Sequence, residues 1–355
     1  MENNQTMENL GYNDFFESNR KKLKLENFLI ARVIAEYKGV YKVKNTDGEY
    51  LAKITGKQIF DALTREDYPA VGDWVAITKL NDEQAVINKI LPRKTIIKRK
   101  YNNRDEMQII ATNIDAAFIV ESINRDFNLN RFERYLSITN DGGIIPIIIL
   151  NKIDLISKEE LDIKLAQIKN RFDNIDVISI STLTNEGIDK LKKYISKERT
   201  YCFLGSSGVG KSSLINKLLE EDIIKTETIS SHTNRGKHAT TNREMYFLKN
   251  GGMVIDNPGM REVGMTDTDS GINQQFDDII AMAEKCKYAD CTHVHEPDCA
   301  VLSAVESGKI DKEKYQNYIN LKKETEFYKM TKLAKREKDR KFGKFLKTVK
   351  KEIYE

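Results

Sequence analysis

The stretch GSSGVGKSS, Gly205 to Ser213, decides how this sequence folds. It lies between an apolar run, TYCFL, and a helical one, SSLINKLL, which is the strand–loop–helix setting of a phosphate-binding loop. Glycines let the backbone wrap closely around phosphate oxygens, and successive N–H groups with the helix N-terminus supply a positive field. The candidate cradle is Gly205, Ser206, Ser207, Gly208, Val209, Gly210, Lys211, Ser212 and Ser213. Lys211 is placed to reach the β and γ phosphates, and Ser212 to ligate Mg²⁺.

Working outward, NKID (Asn151, Lys152, Ile153, Asp154) follows the apolar strand IIPIIIL. A carboxylate at a strand end accepts two hydrogen bonds from guanine N1 and N2, an arrangement adenine cannot satisfy, so Asp154 selects GTP and opposes an ATP-using enzyme. Ser181 and Thr182, after the strand DVISI, fit the loop that backs the base. VIDNPG puts Asp256 at a strand end and Gly259 three residues later. There Asp256 would orient the Mg²⁺ shell through water, and the Gly259 amide would touch the γ-phosphate. The base reader thus precedes the phosphate loop, the reverse of the usual order. In a parallel sheet the ligand loops sit at the carboxyl ends of the strands, so the pocket survives rejoining the termini elsewhere. The arrangement is a circular permutation.

Between the two phosphate motifs, ISSHTNRGKHATTNRE has the Gly, Ser and Thr content of a switch. Thr240 or Thr241 would give Mg²⁺ its second side-chain oxygen. Met260 follows D-x-x-G where a water-positioning glutamine is common, so His238 is the candidate to position the attacking water, with a surface histidine as the alternative.

The 355 residues suit two or three domains. Apolar residues at 40% and charged ones at 32% describe a globular chain, not a disordered one. No apolar run approaches membrane-spanning length, and the start MENNQTMENLGYNDFF lacks the basic flank of a secretory signal, so a cytoplasmic protein without membrane contact is expected. The polar residues 1–27 read as a loosely ordered arm. Short alternating runs over 28–100, broken at Lys38-Gly39 and Asp47-Gly48, predict a small barrel, either an OB-fold or an SH3-like one. Alternating strands and helices over 105–271 predict a parallel sheet, and residues 272–355 read as helical. The fold class is multidomain α/β.

The net charge of +4 is uneven: Lys329 to Lys351 holds eleven Lys or Arg against Glu337 and Asp339, a density suited to a polyanion. Cys286, Cys291 and Cys299 fall within fourteen residues, with His293 and His295 among them. Three thiolates and one imidazole make a closed tetrahedral set, so one structural Zn²⁺ is expected, with His293 or His295 as the fourth ligand.

Together PAVGDWV, NKID, GSSGVGKSS, RGKHATT, DNPG and CKYADCTHVHEPDC resemble the ribosome small-subunit-dependent GTPase A family over about residues 28 to 310. The resemblance implies an OB-fold, a central GTPase and a C-terminal zinc domain. It also implies hydrolysis of GTP to GDP stimulated by the 30S subunit during late maturation, with rRNA-binding to 16S rRNA. It makes His238 catalytic and favours His293 over His295. The family usually carries threonine where Ala239 stands, which leaves Thr240 for Mg²⁺ and Thr241 in reserve. A regulatory GTP-binding module acting through a protein partner is the alternative function, and a monomer is the default state.

Overall fold

The computed structural model describes residues 6–37, 39–100, 107–124, 127–221, 223–224, 243–256, 269–330 and 340. The chain divides into two compact units, Met1–Gly264 and Met265–Glu355.

The first unit opens with a 3-10 turn, Glu8–Leu10, and a helix, α1 (Asp14–Lys22), whose N-terminus is capped by the Asn13 side chain accepting from the Phe15 amide. The loosely ordered arm expected here is instead folded: Leu10, Phe16 and Leu25 are buried against Ile30, Trp74, Ala76 and Leu91. Burying side chains of this size contributes about 1.5–3 kcal/mol each, enough to order a short polar segment.

Five strands follow: β1 (Leu29–Tyr37), β2 (Val40–Lys44), β3 (Glu49–Ile54), then after helix α2 (Gly56–Asp61) β4 (Trp74–Lys79) and β5 (Gln84–Ile90). They pair in the order β1-β2-β3-β5-β4 and close by β1–β4, with β3 and β5 parallel and the rest antiparallel. This closed Greek-key barrel is the OB-fold, and the SH3-like alternative is set aside. The two-residue period divides each strand: Ala31, Val33, Val75 and Ile77 fill the interior, while Ile30, Trp74 and Ala76 meet the N-terminal helix outside.

A hairpin of β6 (Ile96–Lys100) and β7 (Met107–Thr112) links the barrel to the second sheet. The PAVGDWV segment is the knot at that link. Asp73 is fully buried; it accepts both Nε (2.8 Å) and Nη2 (2.7 Å) of Arg93, the Ala70 amide (2.8 Å) and the Thr112 hydroxyl (2.7 Å). Gly72 approaches the hairpin so closely that a Cβ would lie 2.0 Å from the Thr112 carbonyl oxygen. Arg32, 1% exposed, donates from β1 to the carbonyls of Leu10 and Asn113 and lies over the Trp74 ring. Burial lowers its pKa to about 10.

The second sheet runs through β8 (Ala116–Ser122), α3 (Leu129–Asp141), β9 (Ile145–Asn151), α4 (Lys158–Arg171), β10 (Asp176–Ser179), α5 (Ile188–Tyr194), β11 (Thr200–Leu204), α6 (Lys211–Leu219), β12 (Arg243–Phe247) and β13 (Met253–Asp256). Its order is β10-β9-β8-β11-β13-β12, parallel except that β12 runs antiparallel to β13. The strands β8 and β11 are buried along their whole length, as strands covered on both faces require, while β10 and β12 are only partly so. Phe118, Ile149, Phe203, Leu214 and Leu218 form part of one buried cluster. β12 also pairs with β1, so barrel and sheet are one continuous eleven-stranded sheet.

The second unit contains α7 (Asp269–Gln275), α8 (Asp277–Ala283), α9 (Ala300–Glu306) and α10 (Lys312–Lys329). Its buried residues include Ile272, Phe276, Ile279, Val301 and Tyr318, with the Phe276 and Tyr318 rings 5.5 Å apart. Most of the Lys-rich tail lies outside the described residues.

Candidate functional site

β11 is buried throughout and delivers Gly205 to the carboxyl edge of the sheet. Gly205 has φ +142°, and a Cβ there would meet the Val120 carbonyl oxygen at 2.2 Å, so only glycine lets the loop leave the strand this close to β8. Ser207 is exposed at the crest, and Val209 is fully buried, pinning the loop to the core. At Gly210, φ +98°, a Cβ would lie 2.3 Å from Asn151 Nδ2. α6 begins at the next residue, so its first N–H groups, including those of Ser212 and Ser213, face the loop. Lys211 Nζ lies across the loop and donates to the carbonyls of Gly205 (2.7 Å) and Ser206 (2.6 Å).

Asn151 and Lys152 tie the guanine side to this loop. The Asn151 side chain, fully buried at the end of β9, donates to Val209 O (2.8 Å) and accepts from the amides of Lys152 (2.8 Å) and Thr182 (3.3 Å). Lys152, with φ +66°, donates from Nζ to Gly208 O (2.7 Å). Asn151 is thus a brace between three loops. Asp154 is exposed and accepts the Ser181 hydroxyl at 2.5 Å. Ser181 in turn accepts from the amides of Leu183 (3.2 Å) and Thr184 (3.0 Å). Two backbone donors therefore aim the hydroxyl that orients the carboxylate. Asp256 ends β13, the strand hydrogen-bonded beside β11. His238, Thr240, Thr241 and Gly259 lie outside the described residues.

Sequence reading missed the support behind the loop. Tyr135, 2% exposed on α3, has its pKa raised by burial, with the Ser206 side chain opposing the rise. Glu121, buried at the end of β8, pairs with Arg131 at 3.2 Å. An acidic residue ending an otherwise apolar strand was the available signal.

In the second unit the ligand atoms of Cys286, Cys291, His293 and Cys299 all lie within 4.8 Å of one another. Cys286 Sγ and Cys299 Sγ are 3.8 Å apart, and each is 3.5 Å from His293 Nδ1. Tetrahedral zinc with bonds of about 2.3 Å to sulfur and about 2.0 Å to nitrogen requires edges of roughly 3.8 and 3.5 Å. Cys286, His293 and Cys299 match three edges of a Zn²⁺ site, and Cys291 lies close enough to complete it. His295 is exposed and outside the set. Burial lowers the His293 pKa, favouring the neutral imidazole that ligates. Tyr315 donates its hydroxyl to the His293 carbonyl at 2.6 Å, and Cys299 Sγ accepts from the Leu302 amide as the cap of α9. No helix among the described residues is long and apolar enough to cross a membrane.

The RsgA GTPase family matches residues 90–266. "Small ribosomal subunit biogenesis GTPase RsgA 2" of Lactiplantibacillus plantarum is 43% identical over 299 residues, 84% of each chain. The protein of the same name from Listeria monocytogenes is 38% identical over 94% of each. Among solved structures, YjeQ from Thermotoga maritima aligns with a TM-score of 0.61 and 24% identity over 82% of this chain and 96% of its own. YloQ, titled a circularly permuted GTPase, aligns with 0.59 and 23% over 86% and 98%.

Proposed function

Because the chain belongs to the RsgA GTPase family, and is therefore a GTP hydrolase, we propose that it binds the 30S subunit in the cytoplasm as a monomer and assists late maturation of that subunit. The observation that carries the reading is the registered pair of loops: the same Asn151 and Lys152 that precede Asp154 hold Val209 and Gly208 of the phosphate loop. Base and phosphates are thus held against one edge, and Asp154 at the base end is what selects guanine.

In this reading Asp154, held by Ser181, accepts the guanine N–H groups, with Thr182 backing the base. The loop amides from Ser206 to Ser213 and Lys211 Nζ hold the phosphates, the lysine exchanging its carbonyl partners for phosphate oxygens. Mg²⁺ would neutralise charge developing between the β and γ phosphates. Ser212 and Thr240 would hold that ion through their side-chain oxygens, and Asp256 would act on it through water. His238 positions the attacking water, and Gly259 reports the γ-phosphate. The domain division follows: 28–100 for RNA, 105–271 for GTP and 272–355 for zinc, the barrel and basic tail contacting 16S rRNA largely through phosphates. Such contacts weaken steeply with salt.

Steady-state GTP hydrolysis with and without purified 30S subunits, at low and high salt, tests the proposal. Strong stimulation that falls with salt is expected. A rate unchanged by the subunit overturns the ribosomal role and leaves the GTPase intact.

A further inference from the structure

Among the described residues, β12 pairs with the barrel strand β1 through two residue pairs, Ala35 with Glu244 and Glu36 with Arg243. Arg243 is the first residue of β12, three positions after Thr240 and five after His238. Its Nη1 lies 3.1 Å from Glu36 Oε2 and 3.1 Å from the Ile109 carbonyl, so one guanidinium joins the nucleotide sheet, the barrel and the hairpin. The arginine side chain is 11% exposed and the glutamate 33% exposed. Both border a cavity of about 770 Å³ whose walls also include Arg65, Met107 and Gln108, so the pair is not sealed in the core.

We infer that Arg243 and Glu36 are positioning residues for GTP hydrolysis, mooring to the barrel the strand that follows the catalytic segment. A chain reaches at most about 3.6 Å per residue, so a point fixed at Arg243 limits where residues three and five positions earlier can go. Whatever engages the barrel near Glu36 then acts on the strand that carries Arg243. The inference rests on the proposed roles of His238 and Thr240.

The test is a double-mutant cycle on the full-length zinc-loaded protein, using Glu36→Gln, Arg243→Ala and the double variant. GTP hydrolysis is measured with and without 30S subunits, with KM for GTP and thermal Tm recorded for each. Each single variant should lower kcat about tenfold with KM and Tm near wild type. The double should be no slower than Arg243→Ala, because contacting residues couple and their losses do not add. Glu36→Gln removes charge from a part-exposed side chain while keeping its size, so a folded variant is available. Wild-type kcat in the singles, additive losses in the double, or a fall in Tm with kcat retained would each overturn the inference. Absence of stimulation in wild type overturns the ribosomal reading instead, and the cycle is then read on the intrinsic rate.

Discussion

Asn151 ties the phosphate loop and the Thr182 loop to its own turn through hydrogen bonds with their backbone, whereas the three thiols and the imidazole of the second unit converge on one another, with the Leu302 amide on Cys299 Sγ and the Tyr315 hydroxyl on the His293 carbonyl around them. The proposed guanine pocket sits at the edge of a sheet whose strands β8 and β11 are buried throughout, with Phe118, Phe203 and Ile149 in the cluster they share. Its geometry is a property of the fold. The zinc loop spans α8 to α9 between short helices, and its ligand spacing is that of an ion's coordination sphere. A cation supplies the four bonds that hold such a loop closed. One site is organised before its ligand arrives, and the other is organised by its ligand.

The largest effect that could break this contrast is metal removal. Stripping zinc with a chelator, or Cys286→Ser, should unfold Met265–Glu355, because structural zinc contributes on the order of 10–16 kcal/mol. Loss of far-UV helical signal with GTP affinity unchanged is the expected result. A parallel loss of GTP binding would show that the pocket also depends on the metal. Next in size, Lys211→Ala should lower kcat by about 10²–10³, as removal of one charged transition-state contact does, while Tm stays near wild type. A marked fall in Tm would mean that the lysine braces the loop through Gly205 and Ser206 as much as it serves the phosphates. The smallest and sharpest test is Ser181→Ala. Losing the hydroxyl that orients Asp154 should cost about 1 kcal/mol, read as roughly fivefold weaker GTP binding with ATP binding unmoved. Equal weakening for both nucleotides would remove Ser181 from base recognition.

The parts that were legible in the sequence are those whose chemistry is local. Glycines at 205 and 210 are demanded by close backbone approach, and a local motif records such a demand. The zinc ligands were legible because four soft donors fell within one short loop, and only the choice between His293 and His295 needed more. What was not legible is chemistry between distant segments. Leu10, Phe16 and Leu25 are too few and too widely spaced to mark a buried element, yet they meet Trp74 and Leu91 outside the barrel. Asp73 reads as a turn residue beside Gly72, and its role depends on Arg93 and Thr112. The union of β1 with β12 has no periodicity of its own, because its pairing partners belong to different sheets in the linear order.

That union sets a timetable for synthesis. Glu36 emerges first, and its partner Arg243 is 207 residues later. At about 5–20 residues per second, the far end of β1 waits roughly 10–40 s for the strand that completes it. The barrel can close through β4 in that interval, but its protruding edge offers open backbone groups to any passing strand. Joining barrel and GTPase into one sheet thus exchanges a flexible linker for a period of exposure on each new chain, a cost borne during birth, not in the finished molecule.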